Sequence, residues 1–411
     1  MFTRLEIANW KQYRSVDIQF HPRLTILTGA NGSGKTTILN LLSRHFGWNF
    51  SELSTPAIDD KSGIFRFFTR WFKTPEESTT TKIGSLQYGN GNKAELHVPA
   101  ANSAQYNVEI RGQQAIEGFN IPSHRAVFVY APVEQISTRP RLRRDAFSLV
   151  SDSLRSRLQG GGGRLGNFHI KETLIAWAVF GYGNPAVQAD PKQLENYKGF
   201  ESVLRALLPP TLGFLEISIR GNEVVLVTNS GDFMLDAVSG GVSALIDLGW
   251  QIFTYGAEKG TSFCVLIDEV ENHLHPSMQR RVLPSLLEAF PQAQFIVSTH
   301  SPLVVGSSEE ASVYALRYAP DKRVLTHKLD LREKAKDAIE ILREVLEVPT
   351  SLPVWVEERI DVIVRKYTGE SLNAASFESL KVEMRAIGLN QYLPAVLPAI
   401  ISGGIKNDKV E

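Results

Sequence analysis

Apolar and polar residues alternate from the start of the chain. Leu5 and Ile7 mark one run, Val16, Ile18 and Phe20 a second, and Leu24, Ile26 and Leu27 a third. A period of two is the strand period, so the chain is predicted to open with a small sheet. An aromatic-rich stretch at 65–72 is followed by polar residues at 74–82, broken only by Pro75, which read as a loop. Short strand patterns then recur at 83–88, 94–98 and 106–110 with Asn and Gly between them, predicting an antiparallel lobe. The compact apolar run 126–130, ahead of Ala131-Pro132, reads as a buried strand feeding a loop. Helical spacing takes over at 141–208, interrupted by Gly160, Gly161, Gly162 and Gly163, whose permissive backbones make a break. This stretch is predicted to be a helical insertion. Two strand patterns, 214–219 and 223–228, are joined by Gly221-Asn222, a hairpin signal. Helix and strand patterns alternate over 241–298, as a parallel sheet requires. After Asp330 the spacing is helical, with breaks at Pro349, Pro353 and Pro394, and no internal repeat is present.

Composition narrows the classes. The chain has 411 residues, 43% of them hydrophobic and 21% charged, enough to bury a core of two or three compact units and to exclude disorder as the working state. Forty-four Lys plus Arg balance forty-four Asp plus Glu, so no global positive field holds phosphate backbones. Any nucleic-acid contact must come from a local patch. Cys264 is the single cysteine and sits in an apolar run, which excludes an internal disulfide and a cysteine metal cluster and suits a reducing compartment. Arg4 and Glu6 interrupt the first ten residues, and no window reaches the length of a membrane span. The expectation is a cytoplasmic protein with no membrane segment.

Three motifs carry chemistry. Gly29-Ala30-Asn31-Gly32-Ser33-Gly34-Lys35-Thr36 fits G-x-x-x-x-G-K-[ST] between a strand pattern and an amphipathic stretch. Glycines let backbone N–H groups approach a polyphosphate, Lys35 reaches its outer phosphates, and Thr36 offers a hydroxyl to Mg²⁺. The plain alternative is a glycine turn capping an ordinary helix. Phe263-Cys264-Val265-Leu266-Ile267 reads as a strand buried on both faces, ending in Asp268-Glu269. Asp268 is placed to hold Mg²⁺ and Glu269 to orient and deprotonate water, although an acidic pair at a strand end is commonly a helix cap. A third buried run at 294–298 ends in Thr299-His300-Ser301-Pro302, where His300 can meet a terminal phosphate or serve as an ordinary loop histidine.

Together with Val238-Ser239-Gly240-Gly241, these motifs resemble an ABC-type ATPase in residue type and in order. The run Asp268-Glu269-Val270-Glu271-Asn272-His273-Leu274-His275-Pro276 is similar to that of the RecF/SMC/OLD-like group, AAA-type ATP-binding proteins of bacterial defence or DNA repair. The resemblance implies an α/β P-loop NTPase fold with an ABC-ATPase head, a mixed sheet plus an antiparallel β lobe. Residues 1–137 and 211–330 would be the halves of that head, 138–210 a helical insertion and 331–411 a helical, partner-docking tail. It implies that Gly29, Asn31, Gly32, Ser33, Gly34, Lys35, Thr36 and Thr37 hold ATP. It further implies that Ser239, Gly240 and Gly241 contact the γ-phosphate of ATP on another protomer, so that a complete site needs two chains. By the same resemblance Thr36, Asp268 and Gln135 serve Mg²⁺, Glu269, Lys35 and His300 are catalytic, and Tyr13 is a candidate for the adenine. Val238 and Val242 depart from the usual signature letters. Only 202 positions separate Thr37 from Ser239, too few for the long coiled coil of chromosome-organising relatives.

Seven arginines (Arg139, Arg141, Arg143, Arg144, Arg155, Arg157 and Arg164) against Asp145 and Asp152 form the one local basic excess. They keep a nucleic-acid contact open, with a solvated face or an acidic partner as the alternatives. His273 and His275 beside Glu271 do not share a helix face and are expected to organise a turn, with Pro276 opening the next helix. Acids in the tail are scattered, which argues against an attached nuclease. The functional expectation is an ATPase, homodimeric or a higher homo-oligomer, that uses ATP and Mg²⁺ to switch a separately encoded nuclease or toxin effector. The alternatives are a slowly hydrolysing oligomeric sensor or scaffold and, third, a transporter ATPase.

Overall fold

The structure, a computed structural model, describes residues 1–58, 65–68, 80–99, 104–125, 127–158, 160–256, 261–346, 354–367 and 374–401. The chain forms two compact units, Met1–Glu347 and Val348–Glu411. An eleven-stranded mixed sheet is the frame of the first. Its antiparallel half runs through Glu109–Arg111, Lys93–Pro99, Thr80–Tyr88, Phe2–Trp10 and Tyr13–Gln19. Val324–Lys328 and Ser312–Tyr318 join it to a parallel half made of Leu24–Gly29, Ala293–Ser298, Phe263–Ile267 and Gly118–Ile121.

The parallel strands are buried on both faces, which explains their unbroken apolar runs. Val265 and Ile267 pack into one core with the helices, while Cys264 and Leu266 pack into the other beside Ile38, Leu39 and Leu42. The helices Arg143–Leu158, Gly166–Tyr182, Pro191–Leu207 and Gly240–Tyr255 cover the first face through Trp177, Phe200 and Trp250. Gly221 and Asn222 both take positive φ, 56° and 65°, the geometry of a two-residue turn whose twist suits a hairpin.

Several expectations change. Of the run expected at 126–130, the described residues 127–130 form no strand. Val127, Val129 and Tyr130 are 54%, 56% and 59% exposed, and the sheet edge is taken by Gly118–Ile121, paired with Phe263–Ile267. Gly118 permits this pairing, because a Cβ there would stand 2.3 Å from the Cys264 carbonyl oxygen. The polar stretch at 80–82 belongs to Thr80–Tyr88 rather than to a loop, while 69–79 lies outside the described residues. The pattern at 106–110 splits between Gln105–Tyr106, paired with Glu52–Leu53, and Glu109–Arg111. Ile341 and Val345 pack in the first unit's core, so the compact division falls after Glu347 rather than near Asp330. The second unit has its own core, including Val356, Ile360, Leu380, Met384 and Val396, built from Val354–Tyr367, Ala374–Ala386 and Leu393–Ile401. Pro394 falls in the first turn of the last helix, where its missing N–H costs nothing. Pro349 and Pro353 lie outside the described residues. Among the described residues no helix is long and apolar enough to cross a membrane.

Candidate nucleotide site

Strand Leu24–Gly29 lies in the middle of the sheet and delivers the glycine loop to its carboxyl edge. Gly29 has φ 138°, and a Cβ there would stand 2.4 Å from the Leu316 carbonyl oxygen. Gly34 has φ 102°, and its Cβ would stand 2.2 Å from the Tyr13 hydroxyl. Both positions therefore exclude any side chain. Helix Lys35–Ser43 starts at once and has no side-chain cap, so its first N–H groups remain free for an anion. Lys35 is buried and donates to the carbonyl oxygens of Gly29 at 2.9 Å and Ala30 at 3.0 Å. Burial lowers its pKa to about 8, against the opposing pull of Asp268, Glu271 and Glu269. Asn31, Gly32 and Thr36 are exposed, whereas Ser33 Oγ is buried without a partner. Tyr13 is fully buried, with its hydroxyl donating to the Gly34 carbonyl at 2.6 Å and the Thr37 side chain beside it. It braces the loop from beneath and is not an adenine platform.

The ladder register sets Ile267 beside Val297 and Ser298 beside Leu27, which brings three strand ends to the loop. Thr36 Oγ1 lies 3.0 and 3.2 Å from the two Asp268 carboxylate oxygens, and Ser298 Oγ donates to Asp268 at 2.5 Å. Glu269 adopts φ 47°, a left-handed conformation disfavoured for a side chain with a Cβ. Its N–H donates to Ser298 Oγ at 2.8 Å, and its carboxylate accepts from Asn272 Nδ2 at 2.7 Å. The His300 N–H donates to Glu271 Oε1 at 2.5 Å. Burial first, and then Lys35, hold the His300 imidazole below its usual pKa, so the ring is neutral at pH 7.

Sequence reasoning missed the group that fixes this turn. Arg125 is buried, and its Nη atoms donate to the carbonyl oxygens of Asp268 at 3.0 Å, Glu269 at 2.8 Å and Val270 at 3.4 Å. Its partners are backbone atoms, which leave no letter in the sequence. A second buried cation was equally invisible. Lys171 Nζ lies 2.6 Å from Asp236, 2.6 Å from Glu223 and 2.8 Å from the Ala131 carbonyl oxygen. Burial opposes its charge, but Asp236 and Glu223 outweigh burial and raise its pKa. Asp236 also accepts from Asn167 at 2.6 Å and from the Ala131 N–H at 3.2 Å. One ammonium thus ties the insertion helix Gly166–Tyr182 to the residues just before Ser239 and to the segment leading to Gln135.

The structure gathers Lys35, Thr36, Asp268, Glu269 and His300. It shows no hydrogen bond from Ser239, Gly240, Gly241 or Gln135 to them among the described residues. Gln135 is exposed. Ser239 is exposed as well, and its hydroxyl does not cap the helix Gly240–Tyr255 that it precedes. Much of the basic cluster is occupied structurally. Arg141 pairs with Glu172 and Arg144 with Glu117, Arg155 lies over Trp48, and Arg164 lies over Phe168. His275 caps Pro276–Ala289 by accepting from the Ser277 N–H. No group of three or more His, Cys, Asp or Glu able to hold a metal occurs among the described residues. The pair Thr36 and Asp268 still suits Mg²⁺ carried by a nucleotide, since that ion uses one or two protein oxygens and completes its shell with phosphates and water.

A glycine loop at a free helix start, with a carboxylate strand beside it in a parallel sheet, defines a P-loop ATPase. Residues 4–139 match the family model described as "AAA domain", and residues 257–306 match "AAA domain, putative AbiEii toxin, Type IV TA system". Both matches support an ATPase, and the chain resembles the RecF/SMC/OLD-like group. It is 22% identical to the Septu protein PtuA of Bacillus thuringiensis over 365 residues, 84% of this chain and 83% of that protein. It is 45% identical to the Retron Ec83 probable ATPase of Escherichia coli over 53 residues, 13% of this chain and 10% of that protein. Among solved structures, an Smc head bound to the C-winged helix domain of ScpA aligns with TM-score 0.46 and 15% identity, covering 81% of this chain and 98% of that one.

Proposed function

We propose that two copies of this chain close head to head around two ATP molecules and hydrolyse them, switching an effector protein in a bacterial anti-phage defence system. The observation that carries this reading is the division of the phosphate machinery. Lys35, Thr36, Asp268, Glu269 and His300 converge within one chain, while Ser239 stands exposed at an uncapped helix start and hydrogen-bonds to none of them. A free helix N-terminus with an idle hydroxyl is an anion site, here presented outward for a second copy's nucleotide.

Lys35 leaves its loop carbonyls and takes the outer phosphates, where the triphosphate's charge restores its full protonation. Thr36 and Asp268 would hold Mg²⁺, which would supply charge neutralisation on the phosphates, with Gln135 the further candidate ligand. The Glu269 carboxylate accepts a proton from water as that oxygen bonds to the γ-phosphorus. The bond from that phosphorus to the bridging oxygen breaks, and ADP and phosphate leave. Neutral His300 donates to a γ-phosphate oxygen, and Ser239 of the second copy completes the charge stabilisation. The Lys171 network is suited to carry closure at Ser239 into the insertion helix and so to a partner.

Defence is supported by the likeness to Septu and retron proteins. The second unit, with its own helical core, is the candidate docking element for the effector. The test is Mg²⁺-ATP turnover together with native mass, with and without nucleotide. Turnover that rises with protein concentration, alongside an ATP-dependent doubling of mass, supports the reading. A large oligomer with negligible turnover would favour the slow ATP-bound scaffold instead, and a fully active single chain would refute both.

A further inference from the structure

At the end of strand Phe263–Ile267 opposite Asp268, the helical insertion meets the last turn of Gly240–Tyr255 over a cavity of about 440 Å³. Its walls include Leu142, Arg143, Asn196, Tyr255 and Phe263, with Glu117, Arg144 and Lys192 at the charged positions. A second cavity of about 440 Å³ shares Arg143 and Gly256 with it and includes Glu288 in its lining. None of these residues belongs to the phosphate loop.

Charges here do not cancel. Arg144 pairs with Glu117 at 3.1 Å and Lys192 with Glu195 at 3.4 Å. Arg143 has no carboxylate within salt-bridge distance among the described residues. Its Nε donates to Asn196 Oδ1 at 2.9 Å, and its guanidinium lies 4.0 Å from the centre of the Phe253 ring. Asn196 is only 1% exposed, and its Nδ2 is buried with no hydrogen-bond partner. A desolvated cation and an unsatisfied amide donor lining one cavity are both costly unless something accepts from them.

We propose that this cavity binds a nucleoside monophosphate, the phosphate taken by the Arg143 guanidinium and Asn196 Nδ2 and the nucleoside lying along Leu142, Tyr255 and Phe263. A guanidinium beside an amide donor suits phosphate oxygens. The volume falls in the range of ordinary small-ligand sites, and the apolar wall is left uncovered by inorganic phosphate alone. The Glu117 carboxylate gives an acceptor for a ribose hydroxyl or an exocyclic amine. With one cation outside any salt bridge and Glu195 already acting on it, the cavity has little charge for a triphosphate's additional phosphates, so the site selects the monophosphate over ATP. A free nucleotide and the 5′-phosphorylated end of a strand share this chemistry, and the commitment is to the free nucleotide.

The test is calorimetric titration of the full chain carrying Lys35→Ala, which silences the phosphate-loop site. AMP is expected to bind once per chain, with adenosine, inorganic phosphate and ATP each at least about tenfold weaker. Adding Arg143→Ala should weaken AMP by roughly tenfold to a hundredfold, the scale of a lost charge-assisted contact. Asn196→Asp, which sets a carboxylate against the phosphate, should abolish binding and serves as the second variant. An unchanged melting temperature and retained ATP binding in the otherwise unaltered Arg143→Ala chain show that the fold survives. No AMP binding to the Lys35→Ala chain, or affinity indifferent to both substitutions, would overturn the proposal. So would a 5′-phosphorylated oligonucleotide binding where AMP does not.

Discussion

Arg125 offers the sharpest separation of positioning from binding. Its guanidinium spans three successive carbonyl oxygens, those of Asp268, Glu269 and Val270, at 3.0, 2.8 and 3.4 Å. Lysine would keep the charge but could not hold three diverging acceptors, so Arg125→Lys loses at least one charge-assisted bond worth roughly 1.5–3 kcal/mol. The site is buried, and water is poorly placed to substitute. Glu269 sits at φ 47°, a conformation costing roughly 1–2 kcal/mol, so its turn is expected to relax once the grip loosens. Stability should fall by about 2–4 kcal/mol by denaturant unfolding. Single-turnover hydrolysis should slow roughly tenfold to a hundredfold, the scale expected when a general base shifts by about an ångström. ATP affinity by calorimetry should change far less than the rate, because Arg125 touches only the carbonyl oxygens of Asp268, Glu269 and Val270 and not the phosphate loop itself. Normal hydrolysis in a destabilised variant, or ATP affinity falling in step with the rate, would refute this positioning role.

Other outcomes follow from the same geometry. ATP affinity should fall about tenfold between pH 7 and 9, because free Lys35 titrates near 8 and must regain its proton to meet the phosphates. A flat binding profile over that range would contradict the assignment. Glu269→Gln should retain ATP while turnover drops by roughly two to four orders of magnitude in a phosphate-release assay. Lys171→Met should cost about 3–5 kcal/mol in urea unfolding, since it strands the buried Asp236 carboxylate. Lys171→Met combined with Asp236→Leu should cost less than the sum of the two changes.

What could be read from the letters was local and contiguous. The loop from Gly29 to Thr36 and the strand before Asp268 carry their chemistry in one stretch, and the double burial of Cys264, Val265 and Leu266 follows directly from an unbroken apolar run. Residues 127–130 look no different by composition, yet Val127, Val129 and Tyr130 are exposed and only Phe128 is buried, because the neighbouring place in the sheet is filled by Gly118–Ile121. A short strand containing Gly118 and Asn120 has little pattern to announce it. Tyr13 was ambiguous for a related reason, since an aromatic that stacks on a base and one that braces a backbone are the same letter. Arginines counted as a basic patch turned out to be largely engaged with Glu172, Glu117, Trp48 and Phe168. Charge counts register composition, not partners. Arg125 and Lys171 depend on carbonyls and acids that only the fold brings near.

The claim that one copy completes another's site can be tested by mixing two inactive variants. Lys35→Ala abolishes the phosphate loop and Ser239→Arg the presented helix start, so each should be inactive alone. In a two-fold pair made of one of each, the Ser239→Arg copy keeps its phosphate loop and receives an intact Ser239 from the other. Such a mixture should recover up to about a quarter of the unaltered rate, since half of the pairs are mixed and each holds one whole site. A mixture as inactive as either variant alone, under conditions where mixed pairs are shown to form, would contradict the shared site.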